Sequence, residues 1–170
     1  PRQLIPSGGF GTMGFGLGAA IGAQAGNPDK VVVHTTGDGC FRMNCHELAT
    51  VEHYHLPIIT VIFNNGCLGM VRQLQDLFYG GRLNAVDIPD QPDFVKLAEA
   101  YGCVGMRAFT KDEAIECIKK ANEINDRPVL IDFRVWKDAM VWPMVAAGDS
   151  NDNVTYMPGV KPLQRAGENE

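Results

Sequence analysis

Apolar runs alternate with segments of helical spacing along the chain, and this alternation predicts an α/β domain. Residues 30–36 and 58–63 are continuous apolar runs rich in β-branched residues, which is typical of strands buried on both faces. A strand, a helix and a strand in this order form a parallel crossover unit. The predicted elements are a helix over 12–25, a strand over 30–36, a helical segment over 41–55, a strand over 58–63, a helix over 93–101, a strand over 104–108, a helix opened by a capping box of Thr110 and Glu113, and a strand over 128–135.

These elements predict a three-layer α/β/α fold with a mostly parallel sheet, which binds ligands at the carboxyl ends of its strands. Composition supports one domain, since the chain has 170 residues of which 45% are hydrophobic. No apolar run reaches the roughly 18 to 20 residues of a membrane span. A net charge of −5 with scattered Lys and Arg argues against nucleic acid as a partner. Five cysteines without a CxxC pair favour neither a disulfide framework nor a zinc site, and they indicate a reducing, cytoplasmic location.

Two short polar motifs follow two of the predicted strands. Gly37-Asp38-Gly39 follows the strand 30–36, and Asn64-Asn65-Gly66 follows the strand 58–63. Either tripeptide alone is typical of an ordinary turn. Both together, with one helix between them, place a carboxylate and an amide oxygen at one edge of the sheet, where they suit Mg²⁺ and a phosphorylated ligand. Gly39 would let the backbone approach a phosphate, and a helix beginning near Cys40 or Phe41 would direct N–H groups at it.

The wider sequence around these motifs resembles a known family. The spacing of the two motifs is similar to the thiamine diphosphate motif, and the chain to about residue 148 resembles the C-terminal domain of the acetolactate synthase (acetohydroxyacid synthase) catalytic subunit. The resemblance divides the chain into a cofactor-binding domain with a thiamine diphosphate-binding fold over 1–148 and a tail over 149–170. The segments that carry it are 7–17, 47–50, 69–73, 78–79, 92–98 and 142–145.

The resemblance implies a role for individual residues. Asp38, Asn65 and the backbone carbonyl of Cys67 would bind Mg²⁺. The carbonyl of Gly11 would accept a hydrogen bond from the cofactor, and Met13 would wedge between the two cofactor rings as the one candidate catalytic residue. Cys40 stands where the family usually has a serine. The remaining implied cofactor contacts are Gly37, Gly39, Cys40, Leu68, Gly69 and Met70.

The resemblance also implies an activity and partners. Family members condense pyruvate with a second 2-oxo acid, pyruvate or 2-oxobutyrate, with loss of CO₂ in branched-chain amino acid biosynthesis. Their activating glutamate lies on the N-terminal domain of a partner subunit, so we expect the isolated chain to be inactive and the complete protein to form homodimers or higher oligomers. A small regulatory subunit is a possible partner, and FAD, where present, binds outside this domain. Leu74 replaces a family tryptophan beside the substrate channel, which leaves the preference for the second substrate open.

Three alternatives remain open at the sequence level. The chain could be the cofactor-binding subunit of a split thiamine-dependent 2-oxo acid decarboxylase, or a non-catalytic module that keeps the fold. It could also bind NAD, because Gly9, Gly11 and Gly14 form a GxGxxG series. The residues before Gly8 are too few, and too broken by Pro6, to form the strand that such a series requires.

Overall fold

Four parallel strands form the central sheet of the protein in the computed structural model, which describes residues 3–159. In chain order they are β1 (Val33–Gly37), β2 (Ile59–Asn64), β3 (Val104–Ala108) and β4 (Val129–Arg134), and their order in the sheet is β1-β2-β4-β3. The register pairs Gly37 with Phe63 and Asn64 with Arg134, so the carboxyl ends of β1, β2 and β4 lie level with one another.

Helices cover both faces of the sheet. The helices are α1 (Phe15–Gly26), α2 (Asp38–Asn44), α3 (Leu48–His53), α4 (Gly69–Phe78), α5 (Phe94–Ala100) and α6 (Lys111–Glu123). Ile62 and Leu130 point to one face, where they pack with Leu17, Phe41, Val51 and Phe94 from α1, α2, α3 and α5. Val61 and Ile131 point to the other face, where they pack with α6. This alternation along the strands confirms the predicted α/β fold with a parallel sheet.

Two helix starts are set by local hydrogen bonds that the sequence indicated. The Thr110 hydroxyl accepts from the Glu113 N–H at 3.3 Å, and Glu113 Oε2 accepts from the Thr110 N–H at 3.1 Å. This reciprocal pair is the predicted capping box. At the start of α5, the Asp93 carboxylate accepts from the N–H groups of Val95 and Lys96, which satisfies two backbone donors that the helix leaves free.

The predicted helical segment 41–55 is not one helix. A 3₁₀ turn over Cys45–Glu47 separates α2 from α3. Asn44 adopts φ −135° and its Nδ2 donates to the Gly14 carbonyl at 2.9 Å. A tertiary hydrogen bond thus holds Asn44 in a non-helical conformation at the point where the sequence pattern predicted continuity.

Three elements were absent from the sequence prediction. They are α4 and the short antiparallel pair β5 (Met144–Val145) and β6 (Val154–Thr155), which lies across the predicted boundary at residue 148. The helical signal for α4 was present in the apolar residues Met70, Val71, Leu74, Leu77 and Phe78. Within residues 3–159, no helix has the length and apolar character needed to cross a bilayer.

Candidate functional site

Asp38 lies directly at the carboxyl end of β1 and opens α2. Its predecessor Gly37 is level with Phe63 of β2, so Asp38 faces the end of the neighbouring strand, about 4.8 Å away in a sheet. The helix therefore begins two residues before the predicted Cys40. It starts earlier because Gly37 is extended, with ψ 160°, and the chain turns into helical geometry at the next residue.

The Asp38 carboxyl is buried, with 1% of the residue exposed. Burial raises the pKa of this carboxyl above its ordinary value, because a charge is less well solvated in the interior. Hydrogen bonds oppose that rise, and they come from the Gln91 side chain and from the backbone N–H groups of Asp38, Gly39 and Gly66. The contact with Gly66 joins Asp38 to the turn that carries Asn65.

Asn65 and Cys67 form a tight turn after β2. Asn65 Oδ1 accepts from the Cys67 N–H at 3.2 Å, which leaves that oxygen a second lone pair. A Cβ atom on Gly69 would lie 2.9 Å from Asn65 Nδ2, so only glycine fits there without displacing the amide. Burial raises the pKa of the Cys67 thiol. Mg²⁺ binds oxygen rather than sulfur, so the backbone carbonyl of Cys67 and not its thiol is the candidate metal ligand.

An adjacent strand-like segment supports this turn from outside. Cys67 forms an antiparallel bridge with Asp87, and the Leu68 N–H donates to the Val86 carbonyl at 2.8 Å. The Ile88 N–H donates to the Gly66 carbonyl at 3.0 Å. These backbone bonds fix the path of residues 66–68 past the end of β2.

Gly39 is the point where three segments of the predicted site meet. A Cβ atom there would lie 2.8 Å from Leu68 Cδ2 and 3.5 Å from both Met13 Cε and Ile88 Cδ1. The absence of a side chain therefore lets Leu68 and Met13 approach the first turn of α2. The residue next to it, Cys40, is half-buried.

The glycine-rich segment before α1 carries Gly11 and Met13 and is held against α2. Gly11 adopts φ +62°, and its N–H donates to the Ser7 carbonyl at 2.9 Å. A Cβ on Gly14 would lie 2.8 Å from Met43 Cβ, so a glycine is required where this segment touches α2. Met13 is 41% exposed, which leaves its side chain accessible to a ligand.

The structure thus brings together most of the residues that the sequence nominated. Contacts join Asp38, Gly39 and Met13 to the turn of Asn65, Cys67, Leu68 and Gly69, and Gly37, Cys40, Gly11 and Met70 lie beside these as neighbours in the chain. Sequence reasoning missed Gln91, Ile88 and Asn44. Gln91 and Ile88 belong to an irregular segment without periodicity, so no sequence pattern signalled their approach to Asp38 and Gly39.

The donors at this site suit a hard cation. No group of three or more His, Cys, Asp and Glu side chains that could hold a metal occurs within the described ranges. One carboxylate with amide and carbonyl oxygens is instead the kind of donor set that Mg²⁺ shares with a phosphorylated ligand. Residues 3–7 form no strand, so the GxGxxG series of Gly9, Gly11 and Gly14 lacks the context of a dinucleotide-binding turn.

The known proteins that this chain resembles are named as acetolactate synthases or as a thiamine diphosphate-dependent enzyme. The chain is 51% identical over 167 residues to the acetolactate synthase large subunit of Corynebacterium glutamicum, covering 96% of this chain and 27% of that protein. It is 45% identical over 162 residues to the probable acetolactate synthase large subunit of Methanocaldococcus jannaschii, covering 95% and 27%. Among solved structures, the Rhodococcus jostii RHA1 thiamine diphosphate-dependent 4-hydroxybenzoylformate decarboxylase superposes with a TM-score of 0.69 at 34% identity, over 75% of this chain and 24% of that one.

The chain therefore spans about a quarter of the length of these relatives. Residues 1–133 match the family described as thiamine pyrophosphate enzyme, C-terminal TPP binding domain. The parallel sheet and the meeting of Asp38 with the turn after β2 agree with that match. The chain belongs to the family of C-terminal thiamine pyrophosphate-binding domains of thiamine pyrophosphate enzymes.

Proposed function

We propose that the chain is the thiamine diphosphate- and Mg²⁺-binding part of an acetolactate synthase, an enzyme that condenses pyruvate with a second 2-oxo acid and releases CO₂. The observation that carries this proposal is the meeting of the two strand-end motifs, because Leu68 of the turn after β2 packs against Gly39 and the Gly66 backbone lies close enough to the Asp38 carboxylate to lower its pKa. About half of the residues are identical to those of proteins named acetolactate synthase, which favours this activity among thiamine enzymes.

The residues at the strand ends fit Mg²⁺ and a diphosphate. Asp38, the Asn65 amide oxygen and the Cys67 carbonyl would supply the protein oxygens, and phosphate oxygens and water would complete the shell. Gly39 has no side chain, so Leu68 packs directly against the first turn of α2, and a phosphate would lie against the backbone N–H groups at the start of that helix. Gly37 and Cys40 flank this position, and the Cys40 thiol would stand close to the phosphates.

The segments that face each other across Gly39 would hold the rest of the cofactor. Thiamine diphosphate, when bound, supplies the acidic carbon that attacks a 2-oxo acid. Met13, as an apolar side chain packed near Leu68, would press on the rings without competing for hydrogen bonds. The Gly11 carbonyl would orient an amine of the cofactor, and Leu68, Gly69 and Met70 would exclude water from the same side.

The site is only part of a catalytic centre. The glutamates Glu47 and Glu52 between the two motifs have other contacts, since Glu47 accepts a hydrogen bond from the Thr50 hydroxyl at 2.8 Å and Glu52 lies against Gly102. We propose that the activating glutamate comes from the N-terminal domain of a partner subunit in a cytoplasmic homodimer or higher oligomer. FAD and a small regulatory subunit would bind to other parts of the complete protein.

Calorimetric titration of thiamine diphosphate into the purified full chain tests the proposal. Binding should occur in the presence of Mg²⁺, weaken strongly without it, and weaken again in Asp38→Asn, since that change removes the one anionic metal ligand. NADH should not bind. Binding of thiamine diphosphate that ignores both Mg²⁺ and Asp38, or binding of NADH in its place, would contradict the proposed function.

A thiamine-dependent decarboxylase is the second candidate, because the solved structure with the similar fold carries that name. The two activities differ in what happens after CO₂ leaves. The complete protein should convert pyruvate to acetolactate, whereas a decarboxylase would release acetaldehyde. Product analysis by mass spectrometry separates the two outcomes.

A further inference from the structure

A layer of four polar residues crosses the carboxyl end of the sheet beneath the proposed metal site. It consists of Asn64 on β2, Asp132 on β4, Arg107 on β3 and Asp93 at the start of α5, and we refer to these four as the strand-end layer. Asn64 Nδ2 donates to Asp132 Oδ1 at 2.8 Å, and Arg107 Nε donates to Asp132 Oδ2 at 3.0 Å. Arg107 Nη2 in turn donates to the Asp93 carboxylate at 2.5 Å.

A contribution to folding stability does not by itself account for the polar residues of the strand-end layer. Asp132 is 0% exposed and Asn64 is 1% exposed, and both lie on the face of the sheet that carries the apolar core residues Ile62 and Leu130. Well-packed apolar residues often stabilise a protein as much as a buried ion pair or more, because they carry no desolvation penalty. Asn64 also leaves its Oδ1 buried without a hydrogen-bond partner among the described residues, which is unfavourable for folding.

The layer instead fixes the residue that precedes a proposed Mg²⁺ ligand. The Asn64 carbonyl accepts from the Val135 N–H at 3.0 Å while its side chain is held by Asp132. The peptide that leads into Asn65 is thus restrained through both backbone and side chain. Mg²⁺ requires nearly ideal octahedral geometry, so a small rotation of this peptide would move the Asn65 oxygen out of the ligand position.

We propose that Asn64 and Asp132 are positioning residues that set the orientation of Asn65 for Mg²⁺, with Arg107 neutralising the buried carboxylate. This inference rests on the proposed function. Neither residue touches the metal, and both act through Asn65. The Asp132 side chain contacts Asn64, so its effect on Asn65 passes through the Asn64 side chain.

Asp132→Leu in the full chain tests the inference, because Arg107 keeps Asp93 as its partner when Asp132 is lost. The affinity for Mg²⁺, measured by calorimetry at a fixed concentration of thiamine diphosphate, should fall about tenfold or more. Without Mg²⁺ or cofactor, the backbone amide NMR signals of Gly66 and Cys67 should shift. Asp132→Asn should retain affinity, since the introduced amide can accept from Arg107 and, once the Asn64 amide turns over, donate to Asn64 Oδ1. Asn64→Leu is the second variant if Asp132→Leu does not fold.

Gln24→Leu is the matched control. Gln24 is 2% exposed, leaves its Oε1 buried and unpartnered among the described residues, and donates to the carbonyls of Asn27, Pro28 and Lys30 before β1, at the opposite end of the sheet. Gln24→Leu should change the free energy of unfolding without changing the Mg²⁺ affinity or those NMR signals.

The outcomes separate the two proposals. Unchanged Mg²⁺ affinity in folded Asp132→Leu and Asn64→Leu overturns the positioning role alone. An equal loss of affinity in Gln24→Leu also overturns it, because the effect would then be general destabilisation. Absence of Mg²⁺-dependent cofactor binding in the unaltered, folded chain overturns the proposed function and the positioning role with it.

Discussion

Gly39 has no side chain, and Leu68 and Met13 pack where its Cβ atom would stand. It stands in the first turn of α2, where alanine would favour the helix by up to about 1 kcal/mol. Its position beside Leu68 and Met13 leaves no room for a methyl group unless the Leu68 side chain moves. Stability and binding therefore make opposite demands on this position.

We expect Gly39→Ala to lower the affinity for thiamine diphosphate about tenfold or more, because the methyl group and the displaced Leu68 would occupy the path of the phosphate. The midpoint of urea unfolding should stay the same or rise. Titration calorimetry and urea denaturation on the same preparation measure the two effects. Cofactor affinity equal to that of the unaltered chain would show that the phosphate does not pass over Gly39.

His34 is a buried imidazole on β1 that has no part in the proposed site. Its Nδ1 lies 3.4 Å from the Thr60 hydroxyl, and its ring packs where a side chain on Gly16 would stand. Burial lowers the pKa of His34 from 6.5 to about 4, because the protonated ring is poorly solvated there. The folded state therefore prefers the neutral ring.

This pKa predicts a pH-dependent loss of stability. Between pH 6.5 and about 4 the unfolded chain binds a proton at His34 that the folded chain does not, so the free energy of unfolding falls as the pH falls. Below pH 4 the burial of His34 lowers the free energy of unfolding by about 3 kcal/mol relative to neutral pH. Urea denaturation from pH 7 to pH 4 should show a smaller decline in His34→Gln, and the same decline as the unaltered chain in His46→Gln, an exposed control. Equal declines in all three proteins would contradict the prediction.

At the scale of the elements, close packing of α5 on β3 depends on one residue without a side chain. A Cβ atom on Gly105 would lie 2.8 Å from the Val95 backbone oxygen and 2.9 Å from Val95 Cγ1. Backbone atoms of a helix cannot yield without moving the helix. Since Asp93 at the start of α5 belongs to the strand-end layer, that displacement would also reach the end of the sheet.

Gly105→Ala should therefore lower the free energy of unfolding by about 1 to 3 kcal/mol. The matched control is Gly22→Ala in α1, where a Cβ atom meets nothing within 4 Å. That change should raise the stability by up to about 1 kcal/mol, since alanine favours a helix. Both values come from urea denaturation at neutral pH. Equal effects of the two substitutions would mean that α5 shifts away from β3 at little cost.

Helix α4 is attached to a later part of the chain by polar side-chain contacts. The Gln73 side chain is buried, donates to the Val141 carbonyl at 3.0 Å and accepts from the Val141 N–H at 2.7 Å. Arg72 Nη2 donates to the Asp138 carboxylate at 2.5 Å. Both contacts tie α4 to residues more than sixty positions later in the chain, and the apolar residues of α4 remain at least 37% exposed.

At the scale of the whole molecule, this chain supplies only one part of the proposed catalytic centre. Asp38, Asn65 and Met13 provide for the diphosphate and the rings, while the acids Glu47 and Glu52 have other contacts. We expect the isolated chain to bind the cofactor without turning over pyruvate, and the complete protein to be active as a dimer or larger assembly. Turnover assays combined with light scattering test both statements. An active isolated chain, or an active monomer of the complete protein, would contradict them.

Much of the fold was predictable because strong local patterns agreed with the tertiary structure. The buried apolar strands 30–36 and 58–63 correspond to β1 and β2, and Val104–Ala108 is a strand with the predicted bounds. The capping box at Thr110 needs only residues three apart. The division of the segment 41–55 into two helices was not predictable. It depends on a hydrogen bond between Asn44 and Gly14, which are 30 residues apart in sequence.

The sequence by itself determined the four strands of the sheet, their parallel direction and the pair of motifs at the ends of β1 and β2, because these follow from periodicity and from residues adjacent in the chain. Only the tertiary structure decided that Gln91 contacts Asp38, that Leu68 and Met13 meet at Gly39, and that Asp132 holds Asn64. The physical reason is that each of these contacts joins segments whose separation along the chain is set by loops. Loops carry no periodic signal, so the path that brings such side chains together is fixed by packing of the whole domain.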